Sequence, residues 1–224
     1  MRRDVVVVST LAAALGFVSS ASGLTVPFTE TFAGGNASWT NSANAPLEAV
    51  GAGGPDGSSY ASGVFNFAGT NAQSTPAILR AQNTTNASGG SFFGNWVTQN
   101  VTTLSFDIRH DAPVSLDVFV RWTGASAPAF PGIILFASSS VPSGAWTSVT
   151  MAISSGAAFV PEPGGTYAGI FPQVARMQFG ATPGSLAGQN VAVRFDIDNV
   201  RIVPGPGVVA LVGLAGIAGL RRRR

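Results

Sequence analysis

The chain has 224 residues, of which only 10% are charged, while 28 are glycine and 14 are proline. It contains no cysteine, which excludes disulfides, thiolate metal sites and a cysteine nucleophile. All 12 basic residues are arginine, and six of them lie at the two ends, so the intervening body has six arginines and nine acids and a net charge of −3. Nucleic-acid binding needs clustered basic residues on the folded body, so we expect no nucleic-acid partner.

Residues 1–23 have the three parts of a secretory signal peptide. Arg2 and Arg3 form a positive start, an apolar stretch runs from Val5 to Val18, and small residues precede a cut after Ala21 or Gly23. We therefore expect signal peptidase to remove this segment and the protein to be exported.

Apolar and polar residues alternate with a period of two through the body, residues 24–203, and helical periodicity is nearly absent. Such alternation between Gly- and Pro-rich turns predicts antiparallel sheets packed face to face, an all-β sandwich. The alternating segments are LTVPFTETF, TLSFDIR, VSLDVFVRW, VTMAI, ARMQF and VAVRFDI. In the last strand the apolar phase changes between Ile197 and Val200, which predicts a bulge at Asp198-Asn199.

The body resembles the jelly-roll sandwiches of the laminin-G/concanavalin and carbohydrate-binding-module type. The matching pieces are FTETF, GGPDGSSYAS, LSFDIR, WTSVTMAI and DIDNVRIV. This resemblance implies an antiparallel jelly roll, and in many such modules an early acid and an aspartate of the last strand share a structural calcium ion.

Carried onto this chain, those two positions are Glu30 and Asp198, with Asp56 as a weaker third ligand. Glu30 shares its strand face with apolar residues, where an unpaired carboxylate would be costly. Calcium would satisfy it, and so would an ion pair with Arg194 or Arg201, or a place in water at the sheet edge. No cofactor other than this structural calcium is expected.

Aromatic side chains could form a platform that stacks on sugar rings. Trp39 and Trp96 lie in loops rich in small polar residues and are the predicted ligand-binding residues, whereas capping the end of the sandwich is their alternative role. Trp122 and Trp146 are assigned to packing, because one lies on an apolar strand face and the other begins a strand.

The sequence predicts no catalytic residue. His110, the single histidine, follows a strand in RHDAP without any nucleophile motif, and we interpret it as a turn residue in water. Paired carboxylates for glycoside hydrolysis remain the alternative, since the sequence does not give the distances between carboxyl groups.

The C-terminal segment, residues 204–224, has a three-part layout. Pro204 and Pro206 keep the chain extended, Val208–Leu220 is apolar over about 20 Å against a bilayer core of about 30 Å, and Arg221, Arg222, Arg223 and Arg224 follow. The Arg cluster is expected to stay on the cytoplasmic side. VPEPGG at 160–165 has no apolar run after it and is interpreted as a loop.

This layout resembles the PEP-CTERM sorting signal, although Gly205 stands where that family usually has Glu. The resemblance implies processing by an exosortase-type enzyme, transient membrane attachment through the apolar helix, and display at the bacterial cell envelope, surface or extracellular matrix. We therefore predict an exported, non-enzymatic protein that is structural or binds polysaccharide. A secreted glycan-active enzyme on a jelly-roll fold is the alternative.

Overall fold

The computed structural model describes residues 23–125 and 131–206. The predicted signal peptide apart from Gly23, the predicted apolar helix 208–220 and the cluster Arg221–Arg224 lie outside the described residues. Within the described ranges there is one short α-helix, α1 (Tyr167–Ile170), and no helix has the length and apolarity that crossing a bilayer requires.

Twelve strands form the body. In chain order they are β1 (Phe28–Glu30), β2 (Thr40–Asn41), β3 (Glu48–Val50), β4 (Tyr60–Asn66), β5 (Ala77–Gln82), β6 (Val101–His110), β7 (Val118–Gly124), β8 (Gly132–Phe136), β9 (Thr147–Ala152), β10 (Val160–Pro161), β11 (Val174–Ala181) and β12 (Ala192–Pro204).

The strands form two six-stranded sheets, and all their pairings are antiparallel. The front sheet has the order β3-β4-β12-β6-β9, with β1 also paired to β12. The back sheet has the order β10-β8-β7-β11-β5-β2. Apart from β3-β4 and β7-β8, neighbouring strands in each sheet are not consecutive in the chain, and the predicted all-β antiparallel sandwich is confirmed.

The core lies between the sheets and follows the predicted alternation. On β6, Leu104, Phe106 and Ile108 are buried while the residues between them point outward and are only half-buried. Rows of apolar side chains continue across the back sheet, where Leu79, Phe179 and Val120 are directly opposite one another. On β6 the apolar residues thus face the core, and the outer face of the front sheet there carries polar side chains.

The predicted bulge in the last strand is confirmed. The register between β12 and β6 shifts between Asp198 and Arg201, and Asn199 has a positive φ of 49°. The extra residue lets Ile197 and Val200 both face the core. It leaves Asp198 and Asn199 together on the outer face.

The end of β12 fixes the first part of the predicted sorting motif to the body. Gly205 is buried, and its N–H donates to the carbonyl of Asn100 at 2.8 Å. A Cβ at position 205 would lie 2.9 Å from Asn100 Nδ2 and 2.9 Å from Thr102 Cγ2. A side chain at this position would therefore require Asn100 or Thr102 to shift.

Candidate functional site

The outer face of the front sheet carries a row of polar side chains that crosses four strands. Glu48 on β3, Ser62 on β4, Asp196 on β12 and Arg109 on β6 are paired in register. Directly opposite residues have Cβ atoms about 5 Å apart, so their side chains interact. Antiparallel pairing thus brings together acids and bases that are up to 148 positions apart in the sequence.

Asp196 is the centre of this row. It is 3% exposed, and its Oδ2 accepts hydrogen bonds from Arg109 Nη2 at 2.7 Å and Arg109 Nε at 2.9 Å. Its Oδ1 accepts from Arg194 Nε at 2.9 Å, and Arg194 also pairs with Glu48 at 3.4 Å. The side-chain hydrogen bond to Asp196 is the main cause of a raised pKa for Arg194. Two guanidinium groups are therefore fixed on one carboxylate.

Two aromatic rings flank Arg109. Its guanidinium carbon lies 4.7 Å from the ring centroid of Trp146 and 5.3 Å from that of Tyr60, distances typical of cation–π contacts. The two rings meet edge to face at 5.4 Å, and Trp146 Nε1 donates to the carbonyl of Gly53 at 3.0 Å. Trp146 is half-buried, whereas the Tyr60 ring is mostly covered.

These residues border a hollow of about 300 Å³ that we call the front cleft. It is lined by Tyr60, Arg109, His110, Asp111, Gly144, Arg194 and Asp196. Trp146 lies next to the front cleft, where it contacts the lining residues Arg109 and Tyr60. The front cleft thus has fixed donors and acceptors in its lining and a partly exposed indole next to them, a combination that suits polar, ring-shaped molecules.

His110 adjoins the front cleft with its ring on the core side of β6, and the interpretation of this residue as a turn histidine in water was wrong. It ends β6 and is 1% exposed. Its Nε2 lies 3.1 Å from the carbonyl of Val141, and its Nδ1 accepts from the N–H of Ala112 at 3.2 Å. Both contacts fit a neutral ring with the proton on Nε2, and burial lowers the pKa of His110.

A second hollow of about 380 Å³ lies farther along the same face. It is bordered by polar side chains, among them Thr29, Ser105, Asp107, Ser148, Thr150 and Asn199. Ser105 is four residues from Arg109 on β6, a distance of about 13 Å along the strand. The outer face therefore offers polar groups over a length greater than one sugar ring.

The carboxylates of Asp198 and Asp107, next to the bulge, already accept hydrogen bonds from neighbouring side chains. Asp198 is completely buried, and its oxygens accept from Ser58 Oγ and from the N–H of Asn199, each at 2.7 Å. Burial raises the pKa of Asp198, and repulsion from Asp56 and Asp107 adds to the effect. Asp107 accepts from Ser148 Oγ and from Asn199 Nδ2. A carboxyl group as enclosed as that of Asp198 has no exposed surface with which to touch a substrate.

The predicted calcium ligands each have a local partner. Glu30 Oε1 accepts from the N–H of Phe32 at 2.8 Å, Asp56 Oδ1 accepts from the N–H of Ser58 at 3.1 Å, and the same serine binds Asp198. Within residues 23–125 and 131–206, no group of three or more His, Cys, Asp or Glu side chains could hold a metal ion. Calcium binding at these positions stays a prediction.

The structure places both predicted sugar-binding tryptophans in the core, unlike the expected loop platform. Trp39 and Trp96 are each 0% exposed. Their indole N–H groups donate at 2.8 Å to Ser88 Oγ and to the carbonyl of Phe92, respectively. A buried indole with its donor satisfied offers no face to a sugar, so the role that fits this placement is the alternative one, packing at the end of the sandwich.

Sequence reasoning missed the aromatic side chains that do reach the front face. Trp146 was assigned to packing because it begins a strand, and only the register of β6, β9 and β12 places it beside Arg109 and Asp196. A signal was present in the sequence: Arg109 in TLSFDIR and Asp196 in VRFDI both alternate with apolar residues, so both were predicted to point outward. The VPEPGG segment is a short edge strand, β10, followed by a turn, and its Glu162 pairs with Arg121 at 2.8 Å.

Comparison with solved structures finds the same sandwich in carbohydrate-binding modules. One is the CBM22-1–GH10 portion of the endo-1,4-β-D-xylanase 10B of Clostridium thermocellum, complexed with xylohexaose, with 14% identity and a TM-score of 0.51. The match covers 80% of this chain and 28% of that one, so this chain spans under a third of that protein.

A second match is the CBM22-2 xylan-binding domain of Paenibacillus barcinonensis Xyn10C, with 16% identity and a TM-score of 0.50. It covers 80% of this chain and 99% of that domain. No family model matches the sequence, and no curated protein sequence matches it. At these identities the likeness establishes the fold alone, an antiparallel β-sandwich.

Proposed function

We propose that the protein is a non-enzymatic carbohydrate-binding protein whose front cleft binds a neutral polysaccharide. The observation that carries this proposal is the cluster of Trp146, Arg109 and Asp196 at the edge of the cleft. A sugar ring presents C–H groups to an aromatic face and hydroxyl groups to charged donors and acceptors, and this cluster supplies both. The second hollow on the same face would receive further sugar units of the chain.

The engagement of Asp196 and Asp198 within the protein favours binding over hydrolysis at these two carboxylates. Glycoside hydrolysis needs two carboxyl groups that both reach the glycosidic bond, commonly about 5–10 Å apart. Asp196 is held by two arginines and Asp198 is completely buried, so neither is poised as a general acid at the surface. Xylan is the natural first probe, because the two fold neighbours are xylan-binding or were solved with xylohexaose.

The test is isothermal titration of the protein with xylohexaose. We expect Trp146→Ala to weaken binding about twofold to tenfold, since a specific aromatic contact contributes about 0.5–1.5 kcal/mol beyond the area that it buries. Phe136→Ala is the matched control, because Phe136 is a partly exposed aromatic residue on the back sheet. Equal affinity of Trp146→Ala and the wild type would refute the proposal, and release of reducing ends from xylan would favour the enzyme alternative.

We further propose that this domain is exported and sorted through its C-terminal segment. The support is the sequence layout at both ends: a signal peptide over residues 1–23, then Pro204-Gly205-Pro206, the apolar stretch and Arg221–Arg224. Mass spectrometry of the protein from cell fractions tests this. A surface or matrix form lacking both terminal segments is expected, and an uncut chain in the cytosol would overturn the proposal.

A further inference from the structure

One edge of the front sheet lacks the features that usually keep an edge strand from pairing with another chain. β9 is the last strand of its sheet and pairs only with β6 among the described strands. Its six residues, Thr147–Ala152, include no charged residue, no proline and no glycine. Natural edge strands are commonly short, charged, bulged or interrupted by proline, because their unpaired backbone groups otherwise attract another strand.

The other free edges of the two sheets have such protection. β10 and β2 have two residues each, and β10 contains Pro161. β3 and β1 have three residues each, and they contain Glu48 and Glu30, respectively. Among the described strands, β9 is therefore the edge that remains open to a further strand.

The hydrogen-bond pattern shows which backbone groups of β9 point away from the sheet. The N–H of Ile153, just after β9, donates to the carbonyl of Thr102 at 2.8 Å, and the register then gives every second residue of β9 its backbone bonds to β6. The alternate residues direct their N–H and C=O groups outward, and no backbone group of another described residue bonds to them. These residues, whose side chains are all exposed, are Ser148, Thr150 and Ala152.

The outward groups of β9 are complementary to those of a second β9 turned by 180°. When Thr150 is opposite Thr150 of a second copy, Ser148 is opposite Ala152 of that copy, because both lie two residues from Thr150. Each opposed pair then exchanges two hydrogen bonds, as in the hydrogen-bonded pairs of any antiparallel sheet. This register uses the outward N–H and C=O groups of all three residues in both copies.

The side chains agree with the same register. Thr150 is opposite Ser105 of β6, so two threonines would meet at the axis with a serine on either side, a favourable set of cross-strand neighbours. On the inner face, Val149 would be opposite Met151 of the second copy, and both side chains are apolar. Since β9 has no charged residue, no like charges are opposed across the axis.

We propose that β9 pairs with β9 of a second copy of this chain, about a two-fold axis at Thr150. The two front sheets then form one continuous sheet, and the dimer is closed because each open edge covers the other. One six-residue strand is a small interface beside the about 1,200–2,000 Å² of stable complexes, so we expect a dissociation constant of about 10–100 µM.

The second copy would also complete the second hollow, which Ser148 and Thr150 border at the open edge. A two-fold axis normal to the sheet keeps both outer faces on one side, so the two hollows would meet at the axis. Three strand spacings and about eight residues would separate Arg109 from Arg109 of the second copy, which places the front clefts about 30 Å apart. If the front cleft binds glycan as proposed, one polysaccharide would be held at two places.

Disulfide trapping in the full chain tests the pairing and its register, since the chain has no cysteine of its own. Thr150→Cys would place two cysteines opposite each other with a Cα separation of about 5.5 Å, which suits a disulfide. Ala152→Cys is the matched control, because it lies on the same strand and face but about 14 Å from its own copy. We expect covalent dimers to form about tenfold faster with Thr150→Cys under mild oxidation.

The register has a further check in mixtures. Ser148→Cys and Ala152→Cys should cross-link when mixed and not when alone, because these positions are opposite each other only between copies. Equal rates for Thr150→Cys and Ala152→Cys would overturn the proposal. Cross-linking of Thr150→Cys to a different protein in cell fractions, without homodimers, would assign the edge to another chain and also overturn it.

Sedimentation velocity of the full chain in mild detergent, from about 5 to 500 µM, measures the association without a cross-link. Ala152→Pro removes an outward N–H that β6 does not use, a change that an edge strand tolerates. We expect it to weaken association about fivefold or more, because each copy loses one hydrogen bond. Ala152→Ser keeps the N–H and should associate like the wild type.

Association that Ala152→Pro leaves unchanged would overturn the proposal. Species larger than a dimer that Ala152→Pro abolishes would show open-ended pairing and would also overturn it.

Xylohexaose titration of the same variants separates this proposal from the front cleft. Ala152 lines neither hollow, so Ala152→Pro should bind xylohexaose like the wild type at about 2 µM protein, where both are monomeric. Its retention on insoluble xylan at about 200 µM protein should fall about threefold or more, because a monomer holds the polymer at one place. Dimers that bind no xylohexaose would support the edge pairing and refute only the glycan function.

Discussion

The outer face of the front sheet is hollowed and has Asp196 directly opposite Arg109, whereas on the outer face of the back sheet Arg80 and Arg121 lie directly opposite the uncharged Gln178. Both faces arise from the same two-residue alternation. Their difference in charge comes from the strand register, which decides which side chains lie opposite one another. Pairing β12 with β6 sets Asp196 against Arg109, and pairing β11 with β5 sets Arg80 against uncharged Gln178. In the front row an acid and a base are thus cross-strand neighbours, whereas on the back sheet Arg121 finds its acid, Glu162, outside the register pairs.

The largest expected effect tests this difference by removing one acid from each face. Asp196→Asn leaves Arg109 and Arg194 without their shared carboxylate, and we expect a loss of about 2–3 kcal/mol of unfolding free energy, because Asp196 is buried. Glu162→Gln breaks a more exposed pair with Arg121 and should cost less than about 1 kcal/mol. Urea denaturation of both variants measures the contrast, and equal losses would contradict it.

A smaller effect is expected in the pH dependence of the unfolding free energy, to which His110 in the front sheet should contribute. Burial holds the pKa of His110 below its ordinary value of 6.5, so the unfolded chain takes up the proton more readily than the folded one. Stability should therefore fall as pH drops below about 6.5, by up to about 1.4 kcal/mol per pH unit, until the folded-state pKa is reached.

Asp198 acts in the opposite sense. Its folded-state pKa is raised above 3.8, so it favours the folded state as pH falls towards that value. Denaturation at pH 7.5, 6.5 and 5.5 of the wild type and His110→Gln separates the two groups, because the difference between these proteins contains the histidine contribution. If the difference in unfolding free energy between the wild type and His110→Gln did not change with pH, His110 would not be buried as a neutral ring.

The sequence was sufficient for the sandwich, the strand faces and the bulge at Asp198-Asn199, because these depend on local alternation. It was insufficient for the sites. Trp39 and Trp96 sit among polar residues in sequence, yet long-range packing encloses both indoles, and Trp146 reaches the front face only because β9 pairs with β6. His110 looked like a turn residue because the chain that covers it, including Val141, is 31 positions away.

The central claim, that neutral glycan binds in the front cleft, is tested most directly by the four tryptophan indole N–H signals in a ¹⁵N NMR spectrum. On titration with xylohexaose we predict that the Trp146 signal shifts, because its ring contacts Arg109, which lines the cleft, and its Nε1 donates to the carbonyl of Gly53. The signals of the buried Trp39, Trp96 and Trp122 should stay in place. A shift of Trp39 or Trp96 with Trp146 unmoved would contradict the account.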